Sequence, residues 1–189
     1  MYSLPASSCL TFSLFLGLTI ASAAQVAPAA TGSSASIFAG GMASGFEPYP
    51  NSQSVLPGYP TNKLLGIGTF VDLNFKHHWG IEGEGRWLIF REVAQIHETT
   101  YLLGPRAQFR LGRFRLYGKA LYGEGYFYFP YGSVAESAPV LAFGCGADYR
   151  LSKRISVRVF DGEYQKWINF QNQGISPLGA SVGLAYRIR

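Results

Sequence analysis

The residues of this 189-residue chain whose chemistry could be catalytic or metal-binding are its three histidines, two carboxylates at alternate positions and two cysteines. His77 and His78 are adjacent, and neighbouring side chains on an extended strand point to opposite faces. A zinc site needs at least one further ligand beside them, and no third is evident. His97 falls in the connection expected at Arg91–Glu98. None of the three stands beside a serine on a strand, so a nucleophile and base carried together on one strand are not evident; solvated or interfacial side chains account for all of them. Glu82 and Glu84 share a face at strand spacing, which could roughly meet the about 5–5.5 Å between the carboxylates of a retaining glycosidase. Arginines expected on the same inner surface make charge pairing the better account. Gly83-x-Gly85 lies inside a strand with no helix after it, so it is not a phosphate loop. Cys9 precedes an apolar run and is expected to leave with it. Cys145 is then alone, without an intramolecular disulfide, and reads as a small apolar strand residue. These residues predict no catalytic site, no metal site and no cofactor.

The elements that position them begin after a leader. Leu10–Ile20 is apolar apart from Thr11, Ser13 and Thr19, and Ala21-Ser22-Ala23-Ala24 supplies the small residues a signal peptidase cuts beside. The run is shorter than the roughly 20 residues of a membrane helix. The expected organisation is therefore a signal peptide over 1–24, a flexible Ala/Gly/Ser-rich lead-in over 25–34 and one β-domain over 35–189. The leader carries no charged side chain, so the net charge of +5 belongs to the mature part. Its basic residues are scattered in sequence rather than gathered in a stripe. Together with the export signal this argues against nucleic acid as a partner. Aromatics at 15%, 23 glycines and only 14% charged residues suit a β-protein in contact with lipid.

Apolar and aromatic residues recur at every second position in eight segments, the period of a half-buried strand. These are Ala35–Phe46, Leu65–Phe75, Trp79–Ile89, about Thr99–Arg110, Phe114–Phe129, Val140–Arg150, about Arg154–Lys166 and Leu178–Arg189. In the seventh, strict alternation would send Asp161 and Glu163 outward, and a bulge near Val159–Phe160 would restore the phase. Lys76–His78, Leu111–Arg113 and Leu151–Lys153 are short turns. Glu47–Asn62, Arg91–Glu98, Pro130–Pro139 and Trp167–Pro177 are longer connections. Short turns at one end and long loops at the other describe an all-β, eight-stranded, antiparallel, up-and-down transmembrane β-barrel with its turns in the periplasm.

Strands of about 9–11 tilted residues cross the hydrocarbon layer, and in lipid an open sheet edge has no water to satisfy it, so the sheet must close. The first and last strands are expected to pair. Trp79, Phe114 and Tyr149 beside the turns, and Tyr101, Tyr126 and Tyr128 near the loops, are candidates for two interfacial girdles. The opposite faces place Glu82, Glu84, Arg86, Arg106, Lys119, Asp148 and Arg158 in the lumen. Charges of both signs there must pair, because a lone desolvated charge is costly. The interior of an eight-stranded barrel is about filled by side chains, which argues against an open pore.

On these features the chain resembles the small bacterial outer-membrane β-barrel family of the OmpA, OmpX and OmpW kind, the porin-family barrel domain. Its most particular residues are in the end strand: Ser181-x-Gly183-x-x-Tyr186-x-Ile188 is similar to the assembly signal of such barrels, although Arg189 follows where an aromatic residue is usual. Phe143-Gly144-Cys145-Gly146-Ala147-Asp148-Tyr149-Arg150 resembles the family's glycine-rich sixth strand. The peptidoglycan-binding domain of longer OmpA-like proteins is not expected. The resemblance implies a location in the bacterial outer membrane, with lipid and the barrel-assembly machinery as partners. It implies an envelope structural, surface-interaction or narrow-channel role, with the ligand of the external loops unknown. The alternatives are a soluble lipocalin-like ligand-binding barrel and, less favoured, a lipid-modifying barrel enzyme. Gly85-Arg86-Trp87 is a poor lipocalin signature because it falls in the third strand rather than the first.

Overall fold

The computed structural model describes residues 35–47, 64–75, 78–89, 97–129, 134–168 and 175–189. The expected leader and lead-in, His77 and most of the longer connections lie outside them. The eight strands are β1 Ser36–Glu47, β2 Leu64–Asn74, β3 Trp79–Ile89, β4 His97–Leu111, β5 Phe114–Phe129, β6 Val134–Arg150, β7 Ile155–Trp167 and β8 Leu178–Arg187. Each pairs antiparallel with the next, and β8 pairs with β1, so the sheet is a closed barrel. Closure runs from Phe38 opposite Arg187 to Glu47 opposite Leu178. Beyond the strand, the Ile188 N–H donates to the Ile37 carbonyl and the Ile37 N–H to that of Arg189.

The outer surface follows directly from the period-2 pattern. Leu65 and Ile67 of β2, Trp79 of β3, Leu103 and Phe109 of β4 and Val182 and Leu184 of β8 are all more than half exposed. A water-soluble barrel hides such residues; here they form continuous ladders around the cylinder, the surface that lipid covers. Cys145 is on this face, free and exposed. Rings meet where the interfaces are expected. Phe114 and Tyr149 lie 5.0 Å apart by the turns. Trp87 stands edge-on to Tyr101 near the loops and donates Nε1–H to its hydroxyl at 3.2 Å.

Two tight turns are written in local chemistry. Gly112 has φ of 62°, which a first central residue of a two-residue hairpin loop requires and which glycine adopts without steric cost. In the turn before β7, the Ser152 hydroxyl accepts from the backbone N–H of Arg154 and Ile155, at 3.2 and 3.0 Å.

Several boundaries differ from the sequence reading. β6 starts at Val134 and pairs Phe129 with Val134, so residues 134–139 of the expected loop Pro130–Pro139 belong to a strand. β4 starts at His97, which removes His97 and Glu98 from the expected loop. Trp167 is the last residue of β7 and bridges to Ile175, narrowing the expected loop Trp167–Pro177. The physical reason is shared. Strands that emerge beyond the membrane keep pairing while backbone partners are available, whereas the sequence pattern tracks only the apolar ladder.

The expected bulge is present. Arg158 pairs with Gly183 and Asp161 with Ser181, leaving Val159 and Phe160 opposite a single residue of β8. Both side chains face out, each about half exposed, and Arg158, Asp161 and Glu163 all face in.

Candidate functional site

The barrel interior holds every candidate charge. Glu82, Glu84 and Arg86 project from alternate positions of β3, Arg106 from β4, Lys119 from β5, Asp148 from β6 and Arg158 from β7, and all are buried. Asp72, Asp161 and Glu163 complete the cluster. Arg106 bridges Asp72, Glu82 at 2.9 Å and Asp148 at 2.6 Å. Arg158 reaches Glu82 at 2.8 Å and Asp148 and Asp72 at 3.4 Å. Arg86 forks between Glu84 at 2.7 Å and Glu163. Planar guanidinium groups suit such sharing because each offers five donors in a fixed plane. Aromatic faces complete their surroundings, with Arg158 3.6 Å from the Phe70 centroid and Arg106 3.7 Å from that of Tyr117.

Lys119 decides the metal question for Glu82, Glu84 and Asp161, whose oxygens lie within 4.8 Å of one another. The Lys119 ammonium stands among them, 3.3 Å from Glu82 and 2.9 Å from Glu84, Asp161 and Glu163. It occupies the position that a metal ion would need and supplies the counter-charge itself. The same contacts bind Glu82 and Glu84 into ion pairs.

Toward the loop end the lumen changes character. Phe46, Leu64, Leu88, Leu102, Leu121, Phe127, Val140 and Trp167 point inward and pack with Ile175 into a buried apolar cluster. The seam between the two zones is a relay on β7: Trp167 Nε1–H donates to Gln165 Oε1, and Gln165 Nε2–H to Glu163 Oε1, both at 2.9 Å. Gly125 of β5 makes room for the indole, since a Cβ there would overlap the Trp167 ring. Glu98 is fully buried opposite Leu88 and Phe127, and among the described residues neither carboxylate oxygen has a hydrogen-bond partner.

The apolar zone was not expected from the sequence, where the lumen residues singled out were charged. Its signal was available: Leu102, Leu121 and Val140 occupy inward positions of their strands. Asp72, on the inward side of β2, joins the network beyond the seven charges expected there. Asp161 required the bulge to turn it inside. In the end strand, Ser181 faces in and its hydroxyl is 2.8 Å from that of Ser44, while Tyr186 and Ile188 are exposed. Gly183 lies against the β1 backbone at Met42.

The described histidines are not gathered with this machinery. His78 Nδ1 is 3.3 Å from the Gln108 carbonyl, and its ring tilts against Phe109. His97 opens β4, paired with Ile89 and Tyr128 rather than held in a loop.

Residues 13–187 match the family model described as the outer membrane protein beta-barrel domain. Among solved structures the chain is similar to Neisserial surface protein A, with 9% identity over 79% of this chain and 96% of that one and a TM-score of 0.61. It is similar too to the outer membrane protein OprG of Pseudomonas aeruginosa, with 15% identity over 82% of this chain and 96% of that one and a TM-score of 0.50. At such identities the likeness concerns the fold. A search of the curated proteins gave no match.

Proposed function

The chain belongs to the outer membrane protein β-barrel domain family, and from that membership we propose that it is a non-conducting envelope barrel that anchors and displays its external loops at the cell surface. The observation that carries this reading is the packing of the lumen. The ion-pair network fills the middle, and the apolar cluster with Trp167 fills the loop end. An ion or solute crossing it would have to displace charges held by several partners each and then desolvate among Leu, Phe and Trp side chains. A role as a passage is therefore less well supported than a role as a support. The outward apolar ladders disfavour the lipocalin-like alternative, whose outer face would be polar.

On this reading the leader over 1–24 exports the chain, the assembly machinery receives the β8 signal at Ser181, Gly183, Tyr186 and Ile188, and outer-membrane lipid is the lasting partner. The test is electrical. The refolded barrel in a planar lipid bilayer is expected to give at most small, rare conductance steps. A steady ohmic conductance scaling with the number of inserted molecules would overturn the proposal and restore the channel reading.

A further inference from the structure

The basic residues that are scattered in sequence gather in space. At the turn end of the barrel a cavity of about 260 Å³ opens, and Arg110, Arg113, Arg115, Arg150, Lys153 and Arg187 line it. The acid in its wall is Asp148, already engaged by Arg106 at 2.6 Å, Arg158 at 3.4 Å and Arg115 at 3.6 Å. Among the described residues, the other five cations of the mouth have no Asp or Glu partner, and of these Arg187 is engaged by the terminal oxygen of Arg189 at 3.0 Å. Deeper in the lumen every cation is paired. Arg110 and Arg115 even stand directly opposite each other across β4 and β5, an arrangement of like charges that costs stability.

We propose that this mouth is a binding site for a phosphate-bearing anion of headgroup size. Guanidinium groups converging from β4, β5, β6 and β8 offer paired N–H donors from several directions, and a tetrahedral phosphate presents acceptor oxygens in as many. The wall is held in place. The Arg115 guanidinium stacks 4.6 Å from the Phe38 centroid, Arg187 Nε–H donates to the terminal oxygen of Arg189 at 3.0 Å, and the Arg150 N–H donates to the Arg113 carbonyl at 2.9 Å. The cavity is smaller than the roughly 300–1,000 Å³ of pockets that enclose drug-sized ligands, so it fits one phosphate ester and not a folded polymer. The phosphate has two sources at this end of an outer-membrane barrel: the headgroup of an anionic phospholipid, or a small soluble phosphate.

The experiment uses the full barrel, with folding of every variant checked by heat-modifiable migration. In zwitterionic micelles at low ionic strength, calorimetric titration with inorganic phosphate and with glycerol 3-phosphate reads the soluble source. Nanodiscs of phosphatidylcholine with and without phosphatidylglycerol, followed by native mass spectrometry of retained lipid, read the lipid source. R110Q/R187Q removes two charges from the cavity wall, and R154Q/R189Q removes two from the same end outside it. Because charge-assisted hydrogen bonds are the stronger ones, R110Q/R187Q is expected to weaken binding by about tenfold or more. R154Q/R189Q should change it by less than about twofold, since screened charges beyond contact distance contribute little. Binding of the soluble esters without lipid preference identifies a soluble ligand, and selective retention of phosphatidylglycerol identifies the headgroup. Equal losses in the two double variants, or no binding in either arm, would overturn the site.

Discussion

Lys119 and Glu98 are two buried charge-bearing residues placed within one lumen under opposite conditions. Lys119 satisfies four carboxylates, so Lys119→Met leaves them facing one another in a buried site. Removing one partner of a buried ion pair costs about 3–5 kcal/mol, and the urea midpoint of the folded barrel should fall accordingly. Combining it with Glu84→Gln should recover part of the loss. Among the described residues the Glu98 carboxylate has no hydrogen bond to lose, and it sits between Leu88 and Phe127. Glu98→Leu should therefore raise stability, by about 1–3 kcal/mol, the penalty of a buried unsatisfied polar group. An unchanged or lowered midpoint for Glu98→Leu would mean that the carboxyl is held by an interaction the described residues do not contain.

Among the elements, β7 gives the most specific expectation. Its bulge adds one residue, and removing that residue restores a regular ladder with Arg158 and Asp161 still facing inward. Deletion of Phe160 should thus leave a barrel that still migrates heat-modifiably at normal yield. Deletion of Val157 has the opposite effect: the residues on its N-terminal side must flip faces or the bulge must move, because strand side chains alternate with a period of two. That variant should lose the folded band. On β8, Val182→Arg places a charge on the lipid-facing side, where the cost is about 2–4 kcal/mol at the bilayer midplane, and its folded yield should fall well below that of Arg189→Ala.

At the scale of the whole molecule, the start of β1, the end of β8 and the turns β4–β5 and β6–β7 share one end of the barrel, and the ends of β1, β3, β5 and β7 share the other. In intact cells, with Cys145→Ser as background, Ala94→Cys between β3 and β4 should react with a membrane-impermeant maleimide. Lys153→Cys in the turn before β7 should react only after the outer membrane is permeabilised. The reverse pattern would invert the barrel and move the basic mouth to the cell surface.

Much of this was decided by the order of residues alone. Period-2 alternation marked the eight strands and their outward faces, and Gly112 and Ser152 encode their turns locally. The phase conflict at Asp161 and Glu163 marks the bulge in the sequence itself. Pattern is enough there because a lipid-facing ladder reports on one strand and its solvent. The rest depended on tertiary structure because it depends on what eight inner faces do together. Only closure brings Lys119 of β5 among carboxylates of β3 and β7, packs Phe46, Leu121 and Trp167 into one apolar plug, strands Glu98 within it, and collects arginines distant in sequence around one mouth. An inward position is legible in a strand; its partner across the lumen is fixed by register, shear and the depth at which each side chain enters.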